Sequence, residues 1–190
     1  MRCFDAFAGV GGFTQGIHAA IPNAVTVGFS EIDKQASAVL KYRYPNVKNY
    51  GDIVTLVPKD LPDFDLFTFG SPCQDFSIAG KRAGIGGARS GLFLRAIEVI
   101  QAKKPAYFIF ENVKGMLSSN RGWDFGRALL EMEASGYSLC VNLCNAKDFG
   151  VPQNRERVFV IGTRTDLGSS REISFERSDD EDGTERDKQE

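Results

Sequence analysis

The sequence is poor in the residues that build metal sites and disulfide frameworks. Its four cysteines, at positions 3, 73, 140 and 144, form no CxxC pair, and its only histidine is His18. A metal site is therefore not expected. No run approaches the roughly 18 consecutive apolar residues of a membrane span, and the amino-terminal residues MRCFDAFAG contain no signal-peptide core. We expect an intracellular protein, cytoplasmic or nucleoid-associated, with free thiols and with neither a membrane nor a metal partner.

The chain also lacks a strong net charge, but its charges are unevenly distributed. The formal net charge is −2 over 190 residues, of which 42% are hydrophobic. Residues 176–190 carry eight acidic against three basic side chains, which is −5 in the tail and leaves +3 for residues 1–175. The tail has no apolar periodicity, so it is predicted to be disordered. We expect one domain over residues 1–166, followed by an acidic tail over residues 167–190.

Short apolar runs alternate with helical patterns along the predicted domain. This alternation predicts a doubly wound α/β fold with a mostly parallel sheet and helices on both faces. The predicted strands are Arg2–Phe7, Ala24–Ser30, Asp65–Gly70, Ala106–Glu111, Tyr137–Asn145 and Arg157–Thr163. The predicted helices are about Gly12–Ala20, Lys34–Tyr44, Leu92–Ala102 and Trp123–Ser135. The glycine-rich stretch Gln74–Gly91 fits neither type of element and is predicted to be a functional loop or a linker.

A glycine-rich turn, FAGVGGF over residues 7–13, follows the first predicted strand. Glycines at such a turn allow a tight bend and let a ligand approach the backbone closely. The GxGxxG spacing of dinucleotide enzymes is absent. Glu31 ends the second predicted strand, and Asp52 lies in the sequence GDI, where they could hydrogen-bond a ribose and an exocyclic amine. Together these features predict an adenosine-containing cofactor without a pyrophosphate, although either acid alone could be a solvated loop residue or a helix cap.

A cysteine and a glutamate follow two predicted strands at the same edge of the sheet. Cys73 comes directly after Pro72, just past a buried apolar strand, and Glu111 ends the next strand. Open α/β sheets place their sites at the carboxyl ends of strands, so the thiol and the carboxyl are expected close together. A thiol nucleophile beside a proton donor is the predicted chemistry. Taken singly, Cys73 could be a small buried hydrophobe and Glu111 a helix cap.

Two arginines two residues apart precede the last predicted strand. Because alternate residues of an extended segment share a face, Arg155 and Arg157 could converge on one target. The alternative interpretation is a surface ion-pair ladder with Glu156.

These motifs, in this order, resemble those of the DNA (cytosine-5) methyltransferases, which are S-adenosylmethionine-dependent enzymes with a Rossmann-like fold. The resemblance covers about residues 4–165, and the matching stretches are DAFAGVGGF, SEID, GDI, GSPCQDFS, ENVKG and QNRERVFVIG. It implies that Cys73 adds to carbon 6 of a cytosine flipped out of double-stranded DNA, which activates carbon 5 for methyl transfer. Glu111 would hold and protonate nitrogen 3, and Arg155 and Arg157 would contact the ring oxygen and favour the thiolate.

The resemblance also implies two sets of binding residues. The S-adenosylmethionine pocket would be lined by Phe7, Gly9, Gly11, Glu31, Ile32, Asp52, Ile53, Pro72 and Leu92. Relatives often carry an aromatic residue where this sequence has Ile32, so weaker stacking on the adenine is expected. A loop closing over the flipped base would contact DNA through Gln74, Ser77, Lys81, Arg82 and Arg89.

Full-length relatives continue into a target-recognition domain and a closing helix, whereas this chain continues into the acidic tail. The resemblance therefore implies a second polypeptide that carries target recognition, with the chain a subunit of a split enzyme, a truncated product or a fragment. An RNA (tRNA) cytosine methyltransferase is an alternative, because some close relatives use the same residues on tRNA. A non-catalytic cofactor-binding remnant that acts through partners is another. The absent GxGxxG argues against a nicotinamide dehydrogenase.

Overall fold

The computed structural model describes residues 1–72 and 91–167. The strands are β1 (Arg2–Ala6), β2 (Val25–Ser30), β3 (Leu66–Phe69), β4 (Tyr107–Val113), β5 (Tyr137–Asn145) and β6 (Glu156–Arg164). The helices are α1 (Gly12–Ala20), α2 (Lys34–Arg43), α3 (Gly91–Lys103) and α4 (Trp123–Ala134). Short 3-10 helices span Pro58–Asp60, Lys114–Leu117, Ser119–Gly122, Ala146–Phe149 and Thr165–Leu167.

These elements confirm the predicted strands and helices, with every boundary within two residues of its expected position. The largest difference is at β4, which continues from Glu111 to Val113 because those residues pair with β6. The predicted loop over residues 74–91 and the predicted acidic tail lie almost entirely outside the described residues, and the division into a domain and a tail stays a prediction.

The six strands form one sheet in the order β2-β1-β3-β4-β6-β5. The first four strands in that order run parallel, whereas β6 runs antiparallel to both of its neighbours. The amino end of β6 therefore lies at the edge of the sheet where β1, β3 and β4 end. This is the edge at which an open α/β sheet places its binding site.

Helices cover both faces of the sheet, as the sequence predicts. On one face, α3 and α4 pack on rings from three neighbouring strands, where Phe4, Phe67 and Phe108 lie side by side and are fully buried. On the other face, α1 packs through Ile17 on β1 and β3, and α2 packs through Leu40 on β2. The aromatic face gives the sheet a close-packed core that fixes the ends of the central strands.

Candidate active site at the carboxyl edge of the sheet

The turn between β1 and α1 is held in an unusual backbone conformation. Phe7, Gly9 and Gly11 have φ angles of 55°, 53° and 86°, which lie in the left-handed region. That region costs a residue with a Cβ atom roughly 1–2 kcal/mol, so Phe7 is held there by its surroundings. A Cβ atom at Gly11 would also lie 3.2 Å from both Leu40 and Tyr44. The turn therefore needs glycine at Gly11 for two independent reasons.

Glu31, at the end of β2, fastens this turn through its carboxylate. Its Oε2 accepts a hydrogen bond from the backbone N–H of Gly9 at 2.7 Å, and its Oε1 accepts one from the N–H of Asp33 at 2.7 Å. The side chain of Asn49 holds the Glu31 backbone, with its Oδ1 accepting from Glu31 N–H and its Nδ2 donating to Glu31 C=O. Each carboxylate oxygen keeps a second lone pair that can accept from a ligand hydroxyl.

A cavity of about 220 Å³ opens beside Glu31 at the carboxyl edge of the sheet. Seven of the nine residues predicted to bind the cofactor line it, and they are Phe7, Glu31, Ile32, Asp52, Ile53, Pro72 and Leu92. The other two, Gly9 and Gly11, lie in the turn and contribute backbone groups next to the cavity. The remaining lining residues, Ser30, Gly51 and Gly70, were not predicted to bind the cofactor, although they open the matching stretches SEID, GDI and GSPCQDFS.

The catalytic carboxyl predicted from the sequence lies on the same edge. Glu111 Oε1 and Arg157 Nε form an ion pair at 2.9 Å, and each side chain is about a quarter exposed. A second cavity, of about 300 Å³, is lined by Glu111, Arg155 and Arg157 together with Phe159 and other largely apolar side chains. The two arginines and the glutamate therefore meet at one site, whereas Glu156 pairs with Lys114 at 2.8 Å. The surface ladder with Glu156, the alternative interpretation of the arginine pair, is wrong.

A model of the C-5 cytosine-specific DNA methylases matches residues 1–189. The chain belongs to this family. Among relatives, the methylase chain is 39% identical over 183 residues to the orphan methyltransferase M.SPRI of Bacillus phage SPR, covering 94% of this chain and 42% of the relative. It is 41% identical over 187 residues to the type II methyltransferase M.NlaIV of Neisseria lactamica, covering 93% of this chain and 44% of the relative.

Solved structures of methyltransferases share the fold of this methylase chain. The S. pombe Dnmt2 methyltransferase superposes with a TM-score of 0.70 at 25% identity, covering 86% of this chain and 51% of that one. A Spodoptera frugiperda DNMT2 mutant gives a TM-score of 0.73 at 21% identity, covering 92% and 53%. The fold is therefore the Rossmann-like fold of S-adenosylmethionine-dependent methyltransferases. The chain spans less than half the length of the curated relatives described above.

Several predicted residues of the methylase lie outside the described residues. They are the nucleophile Cys73 and the predicted DNA contacts Gln74, Ser77, Lys81, Arg82 and Arg89. Pro72 lines the cofactor cavity, so the chain is at this edge of the sheet immediately before position 73. Two of the other cysteines, Cys3 and Cys144, are poorly suited to nucleophilic attack. Burial raises the pKa of the Cys3 thiol to about 11, and burial followed by the charge of Asp148 raises the pKa of Cys144.

Two asparagines hold the catalytic segments of the methylase and were missed in the sequence. Asn112 is 3% exposed and donates from Nδ2 to the carbonyl of Ser71 at 3.0 Å, two residues before Cys73. Asn145 ends β5, where its Oδ1 accepts from the N–H of Arg155 at 3.1 Å and its Nδ2 donates to Asn154 at 2.7 Å. A polar residue near the end of a strand is ordinary, so the sequence held no specific signal for either.

Neither a membrane helix nor a metal cluster is found among residues 1–72 and 91–167. No helix in these ranges is long and apolar enough to cross a membrane, and no three histidine, cysteine, aspartate or glutamate side chains there are grouped to hold a metal ion.

Proposed function

We propose that this chain carries the catalytic half of an enzyme that transfers a methyl group from S-adenosylmethionine to carbon 5 of cytosine in DNA. The observation that carries the proposal is the convergence of two cavities at one edge of the sheet. The first contains the Glu31 carboxylate, and the second contains Glu111, Arg155 and Arg157. The strand β3 ends between β1 and β4 at the same edge, four residues before Cys73.

The cofactor cavity suits an adenosine. The free lone pairs of Glu31 can accept from ribose hydroxyls, and the Asp52 carboxylate can accept from the exocyclic amine. Ile53 and Leu92 supply apolar walls for the ring. Ile32 is 71% exposed, so it covers the ring without burying it. When bound, S-adenosylmethionine supplies an electrophilic methyl group on a positively charged sulfur.

The cytosine site suits a covalent mechanism. The Cys73 thiolate forms a bond to carbon 6, and the displaced electron pair moves toward nitrogen 3, where Glu111 delivers a proton. Carbon 5 of the resulting enamine would take the methyl group as the bond between that methyl and the cofactor sulfur breaks, which leaves S-adenosylhomocysteine. Carbon 5 would then lose its proton to a water molecule, the bond between the Cys73 sulfur and carbon 6 would break to free the thiolate, and nitrogen 3 would return its proton to Glu111. Arg157 holds Glu111 by the 2.9 Å ion pair, and Arg155 adds a second positive charge for the ring oxygen.

Trapping with DNA that contains 5-fluorocytosine tests the nucleophile, because fluorine at carbon 5 blocks the final elimination. We expect a covalent complex when the enzyme is reconstituted with the target-recognition polypeptide proposed below, both with wild-type protein and with the control Cys140→Ala, and none with Cys73→Ala. A trapped peptide that contains Cys3, Cys140 or Cys144 would refute the assignment.

Single-turnover methylation by the reconstituted enzyme tests Glu111. The variant Glu111→Gln keeps the shape of the side chain but cannot deliver a proton, and loss of general acid catalysis costs about 10²–10⁴ in rate. The matched control is Glu156→Gln, which changes an exposed partner of Lys114 and is expected to keep the wild-type rate. A rate for Glu111→Gln within threefold of wild type would show that Glu111 is only structural.

We also propose that a second polypeptide supplies target recognition. The exposed apolar surface of the described residues supports it. An apolar depression of about 630 Å³ is open on the α1 face, where Phe13, Ile109 and Phe159 are only partly buried. Val141 and Leu143 of β5 are 45% and 48% exposed. A surface of this kind marks an interaction site.

The part of M.NlaIV that follows its matched region is a concrete partner with which to test this. The 190-residue protein, duplex DNA and tritiated S-adenosylmethionine are mixed with and without that segment. We expect label on DNA only in the mixture, and none when Cys73→Ala replaces the wild-type protein. Equal labelling by the 190-residue protein alone would show that it needs no partner.

The same chemistry could methylate cytosine in RNA. The likeness to the S. pombe Dnmt2 methyltransferase is a reason to test an RNA substrate as well. Transfer RNA is therefore assayed beside duplex DNA, both in the mixture that contains the M.NlaIV segment. Label on tRNA alone would move the proposal to RNA, and specific S-adenosylmethionine binding without label on either substrate would favour a non-catalytic remnant.

A further inference from the structure

A buried carboxylate lies beneath the cofactor turn and takes no part in the proposed chemistry. Asp5, the penultimate residue of β1, is 1% exposed. Its Oδ2 accepts from the hydroxyl of Thr14 at 3.0 Å, and its Oδ1 accepts from the hydroxyl of Thr68 at 2.8 Å. Both threonines are themselves 1% exposed or less. A buried carboxylate is costly, so a position that keeps one with two dedicated donors needs an explanation.

The two threonines belong to the two segments that form the site. Thr14 lies in the first turn of α1, immediately after the turn that contains Gly9 and Gly11. Thr68 lies on β3 directly opposite Asp5 and two residues before Gly70, which lines the cofactor cavity. The bond from Asp5 to Thr14 therefore bridges the whole cofactor turn, and the bond to Thr68 joins that turn to the strand that leads to Cys73.

A second hydrogen bond holds the middle of the turn. Gly9 is bonded at 2.7 Å to Glu31 at the end of β2, whereas Asp5 on β1 bonds Thr14, just after the turn, and Thr68 on β3. Phe7 is held in the left-handed region between these two attachments. A turn with a strained residue persists only where its surroundings determine its conformation.

We propose that Asp5 is a positioning residue which, through Thr14 and Thr68, holds the cofactor turn and the end of β3 in a fixed position relative to each other. The inference that this arrangement of the turn and β3 serves cofactor binding rests on the proposed function. The arrangement itself does not depend on that function, because it consists of contacts between groups of this chain. Asp5 acts through the two hydroxyls and does not line either cavity.

Amide hydrogen exchange in the ligand-free protein tests the placement. Thr14→Val keeps the branched shape but removes the donor. We expect exchange at the Gly9 and Gly11 amides to accelerate at least tenfold, and Thr14→Ser to restore it because the hydroxyl is retained. The matched control is Thr26→Val. It removes a buried hydroxyl of β2 that pairs with His18, which lies in α1 like Thr14 but further from the turn. Unchanged exchange at both glycines in Thr14→Val, or equal acceleration in Thr26→Val, would overturn the proposal.

Calorimetric titration with S-adenosylhomocysteine tests the link to the cofactor. We expect Thr14→Val to weaken binding about tenfold, Thr14→Ser to bind nearly as wild type, and Thr26→Val to bind as wild type. If the wild-type protein bound no S-adenosylhomocysteine, the cofactor assignment would fail, and the exchange rates would still decide whether Asp5 holds the turn. If wild type bound and Thr14→Val bound equally well, the role of Asp5 in cofactor binding would be refuted.

Discussion

Replacing Glu31 by glutamine tests the cofactor turn most directly. Both carboxylate oxygens accept a backbone N–H at 2.7 Å, one from Gly9 and one from Asp33. An amide has only one acceptor oxygen, so neither orientation of Gln at position 31 satisfies both donors. One backbone N–H then faces the amide NH₂ group, which is also a donor. The other backbone N–H keeps its hydrogen bond, but to a neutral amide oxygen instead of a charged carboxylate.

Hydrogen bonds to charged groups contribute about 1.5–3 kcal/mol each, and Glu31 is only half-buried. We expect Glu31→Gln to lower the free energy of unfolding by about 2 kcal/mol, measured by urea denaturation. Binding of S-adenosylhomocysteine is expected to weaken by at least about tenfold, because the turn is loosened and a ribose acceptor is lost. The amide resonance of Gly9 should shift strongly in the same variant.

The control is Asp33→Asn, two residues away. Asp33 caps α2, where its Oδ1 accepts from the N–H of Ala36 at 2.7 Å. Asparagine caps helices as well as aspartate does, so this variant should lie within about 0.5 kcal/mol of wild type. If Glu31→Gln were as stable as Asp33→Asn and bound S-adenosylhomocysteine as tightly, the carboxylate would not be what holds the turn.

Three further variants test the core and the site. Burial raises the pKa of Asp5 to about 7, so the free energy of unfolding of the wild type falls as pH rises from about 4 through 7, and the stability of Asp5→Asn relative to wild type should rise by up to about 4 kcal/mol over that window. Urea denaturation measures this, and a constant difference from about pH 4 to 8 would contradict it. Gly162→Ala should lower the free energy of unfolding by about 3 kcal/mol or more in the same assay, because its Cβ would lie 2.1 Å from the buried ring of Phe108. A decrease below about 1 kcal/mol would be inconsistent with that contact. Gly70→Ala should slow single-turnover methylation by the reconstituted enzyme about tenfold with little change in the free energy of unfolding, because its Cβ would lie 3.1 Å from Glu111 Oε2. A wild-type rate would argue against this close approach.

The sequence predicted the elements and the meeting of the two catalytic motifs because both are local signals. Apolar periodicity marks each strand and helix, and the carboxyl ends of parallel strands necessarily share an edge. The contact of Arg157 with Glu111 also needs β6 to run antiparallel beside β4, which periodicity does not reveal. For the same reason the alternative interpretation paired Glu156 with the arginines next to it, whereas its partner is Lys114 from a different segment.

Side chains that act through other residues were not predictable in this way. Asp5 and Thr68 are 63 residues apart in the chain, and nothing local marks either as part of a pair. Asn112 and Asn145 each sit at the end of a strand, where a polar residue is ordinary. Their roles follow from three-dimensional contacts, and one sequence without relatives does not contain those contacts.

The space left by Gly162 also limits how β6 can slide against β4. Phe108 fills the position that a side chain would occupy on its direct partner, Gly162. A slip by two residues, the smallest that keeps each side chain on its face, would set Val160 or Arg164 against that ring and move Arg157 by about 7 Å relative to Glu111. A steric contact in the core, at the far end of the strand, thus rejects misaligned pairings that would leave the catalytic carboxyl without its guanidinium. Misfolded molecules of this kind would lack the Glu111–Arg157 ion pair even with every residue present, so that ion pair and the folding yield should be lost together when the glycine is changed.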